Sequence, residues 1–168
     1  VLKKGIELTL NNELLKAELW ANLGEVHYRL QDYPRSDSAF NRSLEIDSGN
    51  SVILNNYSFY LSERNENLTL ALNLIKKAVK IKPDQSSFED SYAWILYKLT
   101  KYEEAKIWVE KALDHGGDKS AVIVDHYGDI LFRLDMKQEA LKAWVNAKEL
   151  GLDSSIIDKK IRDKIIYE

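Results

Sequence analysis

The 168-residue sequence predicts an all-α fold, an α-solenoid of antiparallel helix pairs. One set of small residues recurs along the chain at intervals of 34 or 35 positions: Gly24, Ser58, Ala93 and Gly128. A second set keeps step with the first: Ser36, Ala71, Ala105 and Ala140. A unit of this length has an apolar face that it can bury only against neighbouring units, so the period predicts a stacked array. Two prolines and seven glycines, with apolar residues at helical spacing, leave little room for strands.

Each repeat is predicted to be a pair of closely packed helices. In the first full copy, Gly24 lies on the first helix and Ser36 on the second, and both are small enough to let the helices approach. Phe40 fills the space beside them. Pro34 stands in the first turn of the second helix, where its missing N–H is not needed.

The pattern Trp20-x-x-Leu23-Gly24-x-x-His27, followed by Ser36-x-x-x-Phe40, resembles the tetratricopeptide repeat. The matching residues of the later copies are Tyr57, Ser58, Leu61, Ala71 and Ile75; Tyr92, Ala93, Leu96, Ala105 and Val109; and Tyr127, Gly128, Leu131, Ala140 and Trp144. The resemblance covers residues 17–153, as repeats at 17–50, 51–85, 86–120 and 121–153 of a single array. It implies that the helix pairs wind into a right-handed superhelix.

The segment before the first repeat is predicted to belong to another repeat. Leu2, Gly5 and Ile6 match a second helix, so residues 1–11 are expected to be the second helix of a truncated preceding repeat. Because Val1 stands inside an apolar helical pattern, we expect the chain to be a piece of a longer protein. The helix that carries Trp20 should begin early, near residue 12 or 13.

The segment after the last repeat is predicted to be a capping helix over residues 154–168. Ile157, Ile161 and Ile165 fall at four-residue steps and would form one apolar stripe. A terminal helix of this kind seals the last repeat of an array from water.

The resemblance implies that the first helices line a concave groove that takes a peptide or protein segment of a partner. The groove residues, mapped by their phase in the repeat, are Asn22, Glu25, Tyr28, Arg29, Asn55, Asn56, Phe59, Asp90, Trp94, Tyr97, Asp125, His126, Asp129, Phe132 and Arg133. Large aromatic residues such as Phe59 and Trp94 could anchor a partner, or could pack only against the neighbouring first helix. Acidic residues outnumber basic ones in the groove, which favours a basic or neutral polar partner.

One ligand class of the family is not expected. Some members bind the C-terminal carboxylate of heat-shock chaperones with two lysines, an arginine and two asparagines. The corresponding positions here are Ala21, Glu25, Asn56, Ser87 and Ser91. Since Asn56 is the one match and Glu25 would repel a carboxylate, chaperone-tail recognition is improbable.

Composition narrows the partners further. With 24 basic and 27 acidic residues and a net charge of −3, the chain shows no bias towards nucleic acid or an anionic membrane. No apolar run approaches the length of a membrane-spanning helix, and the first residues do not resemble a signal peptide. There is no cysteine, so the compartment cannot be inferred from thiol usage, and both cytoplasm and periplasm remain open.

The sequence predicts no enzyme, no cofactor and no metal. It has three histidines: His27 at a packing position, His115 at a helix end and His126 in the predicted groove. His126 and Asp129 share a helix face and could hold a metal ion, but a surface hydrogen bond is expected, because a metal site needs further ligands at suitable spacing. Motifs of hydrolases and nucleotide-binding loops are missing from the sequence.

We therefore predict a protein-interaction scaffold, in the style of bacterial repeat proteins, whose partner the sequence does not identify. The alternative is a structural or oligomerisation module of a larger multi-repeat bacterial protein. In that case the exposed ends of the array would mediate homo-oligomerisation.

Overall fold

The computed structural model describes residues 12–167, and every regular element among them is helical. The predicted all-α class of antiparallel helix pairs is confirmed. Residues 1–11, predicted as a second helix, lie outside the described residues. Within residues 12–167, every helix is too short or too polar to cross a lipid bilayer. The chain forms two compact units that divide after Ile81.

The first unit contains two helical hairpins. Its helices are α1 (Glu13–Arg29), α2 (Tyr33–Ile46), α3 (Ser51–Glu63) and α4 (Leu68–Ile81). The side chain of Asn12 caps α1 by accepting a hydrogen bond from the Leu15 backbone N–H at 3.0 Å, which satisfies one of the free N–H groups of the first turn. The early start predicted for this helix is therefore confirmed.

Size complementarity holds the first hairpin together. A Cβ on Gly24 would lie 2.8 Å from Phe40 Cδ2, so glycine is what allows the phenyl ring to pack against α1. The Ser43 hydroxyl donates to the Ala17 carbonyl at 2.7 Å, a buried bond between α2 and α1. Phe40 also stacks on Tyr57 of α3 with ring centroids 4.9 Å apart, which joins the two hairpins.

The second unit contains two further hairpins and a short last helix. Its elements are α5 (Ser86–Lys98), α6 (Tyr102–Asp114), a 3₁₀ turn (Gly117–Lys119), α7 (Ala121–Arg133), α8 (Lys137–Glu149) and α9 (Ser155–Asp163). A Cβ on Gly128 would lie 2.5 Å from Trp144 Cδ1, so the buried indole of α8 packs directly on the α7 backbone.

Helix α9 differs from the predicted cap in its length and in the face it buries. It ends at Asp163 because Lys164 adopts a left-handed conformation with φ 56°. Ile157 is 1% exposed, but Ile165 lies beyond the helix end and is 45% exposed. Lys160, a charged residue that lies between Ile157 and Ile161, is also buried.

Candidate protein-binding surface

The first helices of the first unit, α1 and α3, present a partly exposed aromatic surface. Tyr28 stacks on Tyr60 with centroids 4.1 Å apart, and Phe59 lies beside Tyr60 at 6.1 Å. Burial and the neighbouring Glu25 carboxylate raise the pKa of the Tyr60 hydroxyl. All three rings are half-buried, so each keeps part of its surface in contact with solvent.

The polar groove residues of this unit differ in exposure. Arg29 is exposed and bonds Glu25 at 2.6 Å within α1, and Asn22 is exposed on the same helix. On α3, the Asn55 amide donates to Asn56 Oδ1 at 3.2 Å. The buried Oδ1 of Asn55 accepts no hydrogen bond from any described residue.

An aromatic stack connects α5 and α7 in the second unit. The indole of Trp94 lies between His126, at a centroid distance of 4.1 Å, and Tyr97, at 4.7 Å. Lys98 Nζ lies 4.7 Å from the Trp94 ring centroid, a cation–π contact. Trp94 is 9% exposed and Tyr97 3%, so these rings offer a partner far less surface than the sequence analysis allowed.

His126 contacts Asp90 of α5 and not Asp129 of its own helix, the acid that the sequence predicted. Its Nδ1 lies 2.9 and 3.1 Å from the two carboxylate oxygens of Asp90, on α5. The predicted surface bond to Asp129 is therefore wrong, because the buried ring turns towards the adjacent first helix. Burial by itself lowers the pKa of His126, but the charge and hydrogen bond of Asp90, with smaller effects of Asp125 and Asp129, outweigh it and raise the pKa.

Lys160 of α9 forms ion pairs with two acidic residues of the predicted groove, Asp125 and Asp129. Its ammonium donates to both carboxylate oxygens of Asp125, at 2.9 and 3.0 Å, and to Asp129 at 2.8 Å. Asp129 also accepts from the Trp144 indole N–H at 2.9 Å. Because these acids bond inside the protein, their charges are no ground for expecting a basic partner. Burial nevertheless raises the pKa of Asp129, since Lys160 offsets only part of the desolvation.

Sequence reasoning missed Lys160, although the repeat itself carries a signal for it. Lys160 follows Asp125 by 35 residues, and His126 follows Asp90 by 36. Helix α9 begins 34 residues after α7, as a further first helix would. The contact of Lys160 with Asp125 of α7 is thus equivalent to the contact of His126 with Asp90 of α5.

The last two predicted groove residues lie near the C-terminal end of α7. Phe132 is half-buried, with its ring centroid 5.6 Å from that of Trp144. Arg133 is exposed, and its Nε donates to the Tyr97 hydroxyl at 3.1 Å. Arg133 therefore borders the aromatic stack, while Phe132 packs on Trp144, and both keep contact with solvent.

One group of potential metal ligands lies outside the predicted groove. The ligand atoms of Asp84, Glu89 and His115 fall within 4.8 Å of one another. His115 Nδ1 bonds Glu89 at 2.7 Å, while Nε2 lies 3.6 Å from Asp84. The bond to Glu89 raises the pKa of His115, with Asp84 and Asp114 contributing. An ion pair that engages both ring nitrogens accounts for this arrangement.

Comparison with known proteins agrees with the helical hairpins. Residues 17–50 and 91–114 match models of the tetratricopeptide repeat. The chain therefore contains tetratricopeptide repeats at both segments. Over 98 residues it is 33% identical to the Protein STIP1 homolog of Dictyostelium discoideum; the match spans 58% of this chain and 17% of that protein.

Solved structures share the fold at low sequence identity. PilF of Pseudomonas aeruginosa superposes with a TM-score of 0.77 at 20% identity, over 97% of this chain and 76% of that one. YrrB, a tetratricopeptide-repeat protein with an unusual peptide-binding site, gives a TM-score of 0.71 at 15% identity, over 98% of this chain and 81% of that one. These likenesses establish the tetratricopeptide-repeat fold.

Proposed function

We propose that this chain is a protein-interaction scaffold whose first-helix faces bind a segment of a partner protein. Tetratricopeptide repeats serve as protein-interaction scaffolds, and the YrrB structure has a peptide-binding site. The observation that carries the proposal is the half-exposed aromatic surface that Tyr28 of α1 forms with Tyr60 and Phe59 of α3. The ring centroid of Tyr60 lies 4.1 Å from that of Tyr28 and 6.1 Å from that of Phe59. Aromatic residues of this kind dominate the binding energy of protein interfaces.

Exposed polar residues border the aromatic surface. Asn22 and Arg29 lie on α1 and can bond the backbone or a carboxylate of a bound segment. In the second unit, Phe132 and Arg133 combine an aromatic ring and a guanidinium in the same way. The other predicted groove residues of this unit are buried, so they would position this second face and not contact the partner: Trp94, Tyr97, Asp90, His126 and Asp129.

Site-specific photo-crosslinking tests the proposal. A benzoylphenylalanine in place of Phe59 should capture a partner protein, whereas the same group in place of Leu70, an exposed residue on the second helix α4, should not. For the captured partner, Phe59→Ala should weaken binding measured by calorimetry by about 2 kcal/mol or more, while Leu70→Ala leaves it unchanged.

Two outcomes would contradict this function. Equal crosslinking at both positions would mean that the first-helix face has no special role. Crosslinks between copies of this chain would instead favour the alternative of a structural or oligomerisation module, and sedimentation would then depend on protein concentration.

A further inference from the structure

A pocket of about 490 Å³ opens between α6, α7 and α8 of the second unit. Its apolar residues are buried or half-buried: Leu113, Val124, Tyr127, Leu131 and Ala143. Its polar residues, which include Asp118, Glu139 and Lys142, are exposed and form the rim. The pocket is lined by second helices and by different residues of α7 from those assigned to the proposed binding face, and it is within the size range of ligand sites.

The preceding repeat of the same chain shows what fills the corresponding place. Tyr92 and Trp108 occupy the positions 35 residues before Tyr127 and Ala143. There the two rings stack, with centroids 4.2 Å apart and an interplanar angle of 27°. The last repeat has alanine where the earlier one has the indole, and no aromatic ring among residues 12–167 stacks on Tyr127 in its place.

The tryptophan of the last repeat stands one position later along α8, where the earlier repeat has Val109. Trp144 follows Ala143 and points inward, where a Cβ on Gly128 would lie 2.5 Å from its ring. The indole therefore fills the interior of the hairpin and leaves the outer face of Tyr127 uncovered. The Tyr127 hydroxyl donates to Glu110 at 3.4 Å, a contact that fixes one edge of the ring.

The charges around the pocket indicate which charge the ligand should carry next to its aromatic ring. In the earlier repeat, Lys111 Nζ lies 4.3 Å from the Trp108 ring centroid. The equivalent position in the last repeat is the uncharged Asn146, which lines the pocket. Among the described residues, Asp118, Glu139 and Lys142 form no ion pair, so together they give the rim one net negative charge. At the place of Asn146, a cation over the ring would therefore be supplied by the ligand, and the net negative rim would favour it.

We propose that this pocket binds an aromatic side chain of a partner protein, flanked by a basic residue, with its ring stacked on Tyr127 as Trp108 stacks on Tyr92. The pocket shares none of its lining residues with the first-helix faces. The partner segment supplies the ring and the cation that the earlier repeat provides from its own sequence.

Nuclear magnetic resonance titration of the full chain tests the site. Acetyl-Arg-Trp-Arg-amide should shift the amide resonances of Val124, Tyr127 and Ala143, and should bind more tightly than acetyl-Glu-Trp-Glu-amide at low salt. Tyr127→Leu, which removes the aromatic face and keeps the apolar bulk, should weaken binding about two- to tenfold. Leu70→Ala, at an exposed position that belongs to neither proposed binding surface, is the control and should leave peptide binding unchanged.

Ala143→Trp restores the side chain of the earlier repeat and should abolish peptide binding by filling the pocket. If that variant fails to fold, Ala143→Phe and the Tyr127→Leu titration decide the question. Unchanged peptide affinity in Tyr127→Leu, or equal affinity for the basic and acidic peptides, would overturn the proposal. Because Phe59 crosslinking reports on the other face, failure here would leave the proposed function standing.

Discussion

Replacing Lys160 by methionine tests whether a buried ammonium attaches α9 to the last repeat. Lys160 is 3% exposed, and its Nζ lies 2.8–3.0 Å from three carboxylate oxygens of α7. Methionine keeps much of the length and apolar character of the side chain but removes the charge. Asp125 and Asp129, one turn apart on α7, would then lose their counter-ion.

The expected loss of stability follows from the burial of the two acids. Removing one partner of a buried ion pair costs about 3–5 kcal/mol, because the remaining charge stays desolvated. The Asp129 side chain is 6% exposed and that of Asp125 19%, so water can solvate Asp125 in part. We therefore expect the lower end, about 3 kcal/mol, which in a chain of this size lowers Tm by about 6–12 °C.

The loss should depend on pH with a definite sign. Burial already raises the pKa of Asp129 although Lys160 opposes it, so removing Lys160 raises that pKa further. A carboxyl group with a higher pKa in the folded state binds protons more tightly there, and the variant gains stability as the pH falls through that pKa. The difference between wild type and Lys160→Met should therefore narrow from pH 7.5 to pH 5.

Urea unfolding followed by circular dichroism at both pH values measures these effects. Lys159→Met, at the exposed neighbouring position, is the matched control and should change stability by less than about 0.5 kcal/mol. Asp129→Asn added to Lys160→Met should recover stability, because its amide oxygen can still accept from Trp144. A Lys160→Met loss below about 0.5 kcal/mol, or one that grows on acidification, would refute this account of the ion pair.

Three further substitutions test the packing and the buried histidine. Gly128→Ala should lower the free energy of unfolding in urea by about 1–3 kcal/mol, since its Cβ would lie 2.5 Å from Trp144, whereas Gly49→Ala, whose Cβ would meet its nearest atom at 3.8 Å, should change it by less than about 0.5 kcal/mol. Ile157→Ala, at a position 1% exposed, should cost about 2–5 kcal/mol, and an unchanged Tm would show that α9 does not seal the last repeat. The raised pKa of His126 means that its protonation stabilises the fold fully below its usual pKa of 6.5 and that this contribution is lost as pH rises through the raised pKa. The wild-type Tm should therefore fall over that pH range, and the Tm of His126→Gln should fall less; parallel pH profiles of Tm would contradict this.

The hairpins could be predicted because their contacts depend on side-chain size at fixed phases of the repeat. Gly24 against Phe40 and Gly128 against Trp144 show the small-to-large pairing expected from the sequence. The turns inside the hairpins could not be predicted in the same way. Besides Asn67 in the turn after α3, four equivalent turn positions have left-handed φ: Gln31, Asn65, Thr100 and Asp135. They share a place in the repeat but no residue type, and none is the glycine that usually marks such a turn.

The candidate surface was harder to predict because phase assigns a residue to a helix face without naming its partner. Trp94 was correctly placed on a first helix by its phase, but its sandwich between His126 and Tyr97 depends on two helices at once. The isoleucine spacing of α9 correctly placed Ile157 and Ile161 on its packed side, although Ile165 lies beyond the end of the helix. It gave no indication that Lys160, three residues after Ile157, would face the same side and reach Asp125.

Comparing repeats within the chain therefore says more about which residues contact one another than comparing residues with a family pattern does. Asp90 with His126 and Asp125 with Lys160 form equivalent contacts from an imidazole in one case and an ammonium in the other. Position in the repeat thus determines which residues meet, while residue type determines what the contact can do. By the same argument, Ala143 stands where the earlier repeat has Trp108, and the pocket beside Tyr127 lies where that indole stacks on Tyr92. Because alanine supplies no ring, a ring stacked on Tyr127 would have to come from another molecule.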